Sequence, residues 1–258
     1  MNTKQLRQKI LDLAIRGKLV PQDPNDEPAS VLLERVRAEK ERLIKEGKIK
    51  RSKGDSTINK AADKSHYEQL PDGTSKCIDD EIPFDLPNGW EWVRLGSICN
   101  YGSCDNVSAK DIDDSAWILD LEDIEKDTAK VLMVVRKRER PFTSTKHSFI
   151  KGQVLYSKLR PYLNKVVVAH EDGYCTSEIL PLPFIIDVCP EYVRLFLMSD
   201  FFLGYANHCS YGVKMPRLGT TDGKKALFAL PPLAEQLRIV SAVDNALEWL
   251  NEITANLS

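Results

Sequence analysis

The chain has 258 residues, of which 42% are hydrophobic and 29% charged. That balance supports one large folded domain or two small ones and excludes wholesale disorder. Its 36 lysines and arginines against 38 aspartates and glutamates leave a net charge of −2, which excludes a uniformly basic coat but not a locally basic face. No apolar run approaches the roughly 18 residues that span a bilayer. The longest, residues 179–186, is broken by Pro181 and Pro183, and Asp12 interrupts the apolar stretch near the N-terminus. No signal peptide is expected, and the chain reads as cytoplasmic.

Residues 1–50 have a helical pattern. Leu6, Ile10, Leu13 and Ala14 recur on one helical face, and Gly17 is placed to end that helix at its C′ position. The turn-forming residues 23–28 (DPNDEP) follow, with Pro28 near the first position of a second helix. That helix carries Leu32, Leu33, Val36, Leu43 and Ile44, with Lys40 in the middle, and Gly47 closes it. Residues 51–82 lose the periodicity. Ser52–Ser56 and Pro71–Ser75 are polar and turn-rich, so a flexible linker and a domain boundary are expected there.

Residues 83–230 hold most of the aromatics and read as a mixed α/β domain. The β-branched runs at 131–135, 153–157 and 165–169 are bounded by breakers and predict strands. Residues 192–203 are apolar and follow Pro190, which predicts one buried helix. From 231 to 258 a single long helix is expected after Pro231 and Pro232. Its apolar residues Leu233, Leu237, Val240, Val243, Leu247, Leu250, Ile253 and Leu257 have a mean spacing of about 3.4 residues, close to a coiled-coil repeat. Such a helix spans roughly 37 Å, so a partner helix is expected along Leu237, Val240, Leu247 and Leu250. The N-terminal helices of the same chain or of another copy are the natural partners. The fold class is thus α/β in the α+β sense: a mixed domain flanked by long helices that form a coiled coil or bundle.

Signatures of catalysis are missing. There is no phosphate-binding glycine loop, no dinucleotide fingerprint and no nucleophile elbow. The six cysteines (Cys77, Cys99, Cys104, Cys175, Cys189 and Cys209) and the four scattered histidines match no zinc spacing, so free thiols and no metal are expected. Residues 105–127 hold nine acids against Lys110 and Lys126. They read as a solvated acidic surface, the alternative being a magnesium-dependent nuclease using Asp120 and Glu122.

Charge is unevenly spread. Between Lys130 and His170 ten lysines and arginines face one acid, Glu139, with Phe142, Tyr156 and Tyr162 interleaved. A second basic loop, residues 211–217 (YGVKMPR), has restricted geometry from Gly212 and Pro216. Basic residues mixed with aromatics suit phosphate contact and base readout. The alternative is a solvated face that balances the acidic stretch.

Four stretches resemble the DNA specificity subunit of type I restriction–modification systems, in that family's order and over nearly the whole chain. Residues 10–29 (ILDLAIRGKLVPQDPNDEPA) are similar to its conserved helical region, and residues 86–96 (LPNGWEWVRLG) to the opening of a target recognition domain. Residues 152–165 (GQVLYSKLRPYLNK) with 175–178 (CTSE) resemble the core strands of that domain, and 230–240 (LPPLAEQLRIV) the start of a spacer helix. The resemblance implies a non-catalytic recognition subunit that reads a few base pairs, mainly from the major groove. Its helices would dock modification (methyltransferase) subunits, which bring S-adenosylmethionine. A restriction subunit would supply ATP and magnesium chemistry. No cofactor is expected on this chain.

The family normally carries two recognition domains and this sequence carries one, as a natural half-subunit that dimerises or as a truncation. A two-fold dimer would read an inverted-repeat target; pairing with a different half-subunit is the alternative. The DNA-contact candidates are Tyr156, Lys158, Arg160, Tyr162 and Lys165, with Tyr211, Lys214 and Arg217 as a second loop. A protein-interaction scaffold without DNA readout is the alternative.

Overall fold

The computed structural model describes residues 3–47 and 56–256. They form two compact units. One takes the described residues up to Cys99, Phe184–Tyr192 and those from Lys224; the other takes Asn100–Pro183 and Val193–Gly223. Helices and sheets are mixed, in the α+β arrangement expected. Among the described residues no helix is long and apolar enough to cross a membrane.

In the first unit, α1 (Thr3–Ile15) buries Leu11, Ala14 and Ile15. Gly17 ends it at φ +63°, donating its N–H to the Ala14 carbonyl at 3.1 Å. A Cβ there would lie 2.4 Å from Pro87 Cγ, so both backbone and packing require glycine. The Asp23 carboxylate accepts from the Asn25 N–H at 2.9 Å and shapes the turn into α2 (Ala29–Lys45), with Pro28 at its N-cap.

The last helix, α7 (Leu233–Asn256), packs along α1 of the same chain. Ile239, Val243 and Leu250 are buried, each worth roughly 1.5–3 kcal/mol, whereas Leu237 is 58% exposed and Val240 and Leu247 are half-buried. The pairing stripe is therefore offset from the one expected. A 3.6-residue helix places Ile239, Val243 and Leu250 on one line and rotates Leu237 off it. Leu257 lies outside the described residues. The start of α7 is fixed by buried polar side chains. Glu235 accepts from Trp90 Nε1 at 2.8 Å and Gln22 Nε2 at 3.1 Å. Gln236 donates to the Pro231 carbonyl and accepts from the Cys189 N–H, and Arg238 grips Asp26.

The flexible linker expected over residues 51–82 is overturned where the chain is described. From residue 56 it forms an antiparallel meander of β1 (Thr57–Lys60), β2 (His66–Gln69) and β3 (Ser75–Cys77). Residues 48–55, including Ser52, lie outside the described residues. Ile58 and Ile78 are buried, and Glu68 and Glu81 close on Arg94 at 2.6 and 2.7 Å. Arg94 ends β4 (Glu91–Arg94), which leads into the short α3 (Leu95–Ile98) and pairs with β13 (Leu227–Leu230). Both edges of the expected 83–230 domain thus belong to the first unit.

The second unit has a five-stranded sheet in the order β5-β8-β11-β6-β7. Its strands are β5 (Asn106–Val107), β6 (Trp117–Leu119), β7 (Val135–Arg136), β8 (Lys146–Phe149) and β11 (Gly173–Cys175). A three-stranded antiparallel sheet places β9 (Val154–Ser157) between β10 (Val166–Val168) and β12 (Ile179–Leu182). Trp117, Leu119, Phe149, Leu155, Val167 and Ile179 belong to a common core. Two features depart from expectation. Of residues 131–135 only Val135 enters a strand, and Leu132, Met133 and Val134 are exposed. The apolar run 192–203 is two helices, α4 (Pro190–Leu197) and α5 (Asp200–Cys209), because Ser199 caps the second through its Oγ to the Phe202 N–H. A last short helix, α6, is Thr220–Lys225.

Candidate nucleic-acid interface

Four of the ten cations in the basic run are neutralised inside the second unit. Arg140 donates twice to Asp123 at 2.7 Å and also reaches Asp120 and Glu122. Lys146 meets Asp120 at 2.7 Å, Lys137 meets Asp114 at 3.1 Å and Arg136 meets Glu171 at 2.6 Å. The acidic stretch is therefore only partly the solvated surface expected. Asp123 is 1% exposed and forms a capping box with Asp120 around a 3₁₀ turn, and its carboxylate holds the Arg140 guanidinium well above its ordinary pKa. Asp120 and Glu122, the nuclease candidates, are both bound to Arg140. Among the described residues no group of three or more His, Cys, Asp or Glu side chains is placed to hold a metal, and all six cysteines are free.

Beyond β9 the chain behaves differently. Both faces of this central strand are covered, and Tyr156 is 4% exposed, packed on Tyr101 and Phe202. Burial pushes its phenol well above the ordinary range. Tyr156 is thus a core residue, not the DNA contact expected. After Ser157 the chain leaves the sheet. The Lys158 N–H donates to the Glu178 carbonyl at 3.0 Å, and Arg160 and Asn164, both at φ +50°, bracket a 3₁₀ turn, Pro161–Leu163, that exposes Tyr162. The Lys165 ammonium turns inward to the Leu121 carbonyl at 2.6 Å, and burial lowers its pKa, so it too leaves the expected contact set.

The two basic segments that the sequence separates by some fifty residues come together. Tyr211 and Arg217 exchange backbone hydrogen bonds of 3.1 and 2.9 Å, closing a hairpin. Arg217 also bridges Leu159, the Arg160 N–H donates to the Pro216 carbonyl at 2.7 Å, and the Leu218 N–H donates to the Lys158 carbonyl at 3.0 Å. One side chain is diverted: Arg217 clasps Glu178 through Nε and Nη2, the shortest contact being 2.7 Å. That hydrogen bonding holds the Glu178 carboxyl below its ordinary pKa, and the Lys158 charge helps. Arg217 therefore braces the surface instead of offering its charge outward. Tyr211, Tyr162 and Lys214 are exposed, and Lys158 and Arg160 are half-buried beside them.

Two elements of this surface have no signal in charge or aromatic spacing. The hairpin of residues 123–132, closed by the Ile124–Val131 bridge, donates its Asp127 N–H to the Leu163 carbonyl at 3.3 Å. Val213 and Met215 are exposed at the tip of the other hairpin. A backbone signal marks the same region. Asp127, Ala129, Arg160 and Asn164 hold positive φ without being glycine, as among the described residues only Lys64 also does. Such strained positions gather where a protein's function requires a fixed loop.

No family model matches the chain. It is 32% identical to the type I restriction enzyme EcoAI specificity subunit of Escherichia coli, over 96% of this chain and 40% of that protein. The EcoEI specificity subunit of Escherichia coli is 31% identical over 98% of this chain and 41% of the relative. The chain thus spans about two fifths of the length of these curated relatives. Among solved structures, the HsdS subunit from Thermoanaerobacter tengcongensis superposes with a TM-score of 0.56 at 24% identity, over 67% of this chain and 46% of that one. A chain from a study of complex assembly and conformational transition of the type I R-M system gives 0.57 at 24% identity, with the same coverage. These structures share its fold, and by sequence the chain belongs to the family of type I restriction enzyme specificity subunits.

Proposed function

We propose that this chain provides DNA target recognition within a type I restriction–modification complex, by binding and not by catalysis. The ladder that joins Lys158–Arg160 to the 211–217 hairpin carries this reading. It gathers Lys158, Arg160 and Lys214 for phosphates, with Tyr162 and Tyr211 beside them, on loops rooted in a sheet. The α1/α7 pair docks a modification subunit, and through the assembled complex the chain meets a restriction subunit. S-adenosylmethionine, ATP and magnesium are held by those partners. Leu237, with Trp249 and Ile253 (67% and 57% exposed), offers apolar surface on α7 for helices of a second copy or of another half-subunit.

The test is fluorescence anisotropy of the full chain with a pool of random duplexes across a salt series. Changing Lys158 and Arg160 together to alanine weakens binding and flattens the salt slope by about 0.9 for each phosphate no longer neutralised. An unchanged slope removes both residues from the interface. Light scattering coupled to size exclusion, with and without a modification subunit, tests the pairing: two copies per assembly support it, and a strict monomer binding one modification subunit refutes it.

A second reading is a scaffold for the modification subunit without DNA readout. It draws on the internal pairing of Arg136, Lys137, Arg140, Lys146 and Arg217. It predicts assembly with the modification subunit and no preference for any duplex.

A further inference from the structure

We propose that the tip of the 211–217 hairpin is an apolar reading finger, in which Val213 packs against a thymine methyl group in the major groove of the target. This rests on the DNA-recognition reading above and assigns it a base-reading side chain that carries no charge.

Val213 is 101% exposed, with Met215 and Tyr211 also exposed beside it at 43% and 61%. An aliphatic tip this open is at odds with solvent, and its surroundings keep it from collapsing. The Tyr211–Arg217 bridge closes the base of the hairpin. The Arg217 Nη1 donates to the Met215 carbonyl at 3.1 Å, while the rest of its guanidinium is clasped by Glu178. The Tyr211 ring lies against Gly219, where a Cβ would sit 3.3 Å from the ring edge. Gly212 turns the chain at φ +97°, a conformation that favours glycine. The tip is therefore held outward by hydrogen bonds at its base, an ion pair at its flank and a packed ring.

The chemistry of its target follows from the side chain. Val213 has no donor or acceptor, so it can distinguish bases only by shape and apolar contact. The major groove admits a two-stranded ribbon, and thymine alone among the four bases presents a methyl group there. Lys214 on the tip, with Lys158 and Arg160 beside the hairpin's base, supplies the positive charge that holds a ribbon in a groove lined by phosphates. The neighbouring charges thus suit a nucleic acid better than an apolar protein surface.

The experiment selects duplexes bound by the full chain from a random library, then remakes the selected duplex with deoxyuridine in place of each thymidine in turn. At one or two positions, loss of the methyl weakens binding by about fourfold, the factor that burial of one such carbon carries. Val213→Ala then binds the thymidine and deoxyuridine duplexes equally, with its salt slope unchanged. Insensitivity to every deoxyuridine, a selected target without thymidine, or a preserved preference in Val213→Ala overturns the finger alone. Failure to select any duplex overturns the recognition reading and the finger with it. Strong bending of the selected duplex that Val213→Ala abolishes would mark a wedge between base steps, and would overturn the methyl contact.

Discussion

Arg136, Lys137, Arg140 and Lys146 each end on a carboxylate between 2.6 and 3.1 Å away. A short way along the chain, Lys158 and Arg160 sit in a segment held by backbone hydrogen bonds to Glu178, Pro216 and Leu218, and Lys214 lies on the hairpin joined to it through the Leu159–Arg217 bridge. The carboxylate there, Glu178, is taken by Arg217. The two regions have nearly the same basic composition and opposite roles. In the first, cation and acid hold loops to a sheet; in the second, backbone pairing does that work and leaves positive charge at the surface. Net charge along a sequence therefore measures the field outside a protein only after internal partners are subtracted.

The sharpest test of the first region is Asp123→Ala. Asp123 is buried and bound twice by Arg140, and its removal leaves Arg140 only the longer contacts to Asp120 and Glu122 and opens the capping box with Asp120. A loss of about 3 kcal/mol in urea unfolding is expected, with DNA affinity per folded molecule unchanged. Equal loss of affinity and stability would mean that the acidic loops are part of the reading surface. A smaller effect separates the regions by binding. Lys158→Ala with Arg160→Ala lowers the salt slope by about two units if both touch phosphate. The paired control, Arg136→Ala with Lys137→Ala, leaves the slope where it was. Matching slopes for the two double variants would erase the distinction.

Much of the fold is legible in the sequence where a single periodicity dominates. Glycines and prolines mark the ends of α1 and α2, and β-branched runs mark β9 and β10. The meander of β1–β3 is not legible, because its strands have three or four mostly polar residues whose order comes from the Arg94–Glu68–Glu81 cluster. Nor is the break before α5 visible, since the single hydroxyl of Ser199 sets it inside an apolar run. The proposed binding surface is half legible. Basic and aromatic composition points to Lys158, Arg160, Tyr162, Tyr211 and Lys214. It misplaces Tyr156 because alternation carries no information on a strand buried on both faces. It misreads Arg217 because Glu178, thirty-nine residues away, leaves no trace in local spacing. Charge and ring content also pass over Val213.

The smallest expected effect tests whether a carboxylate neighbour alone decides a cation's role. Glu178→Gln releases Arg217 from its ion pair. Because Arg217 lowers the folded-state pKa of Glu178 below its ordinary 4.5, the pair contributes stability that is fully present above that value. That contribution is lost as pH falls through the lower, folded-state pKa. The stability deficit of Glu178→Gln is accordingly greatest above pH 4.5 and vanishes in stronger acid. Both side chains are partly exposed, so the deficit is about 1 kcal/mol or less. At neutral pH the freed guanidinium adds a phosphate contact, and the salt slope steepens by about 0.9. Because the same ion pair steadies the hairpin, the thymidine preference weakens in step; an unchanged slope with the preference intact would show that the Glu178 pair governs neither the charge of Arg217 nor the hairpin tip.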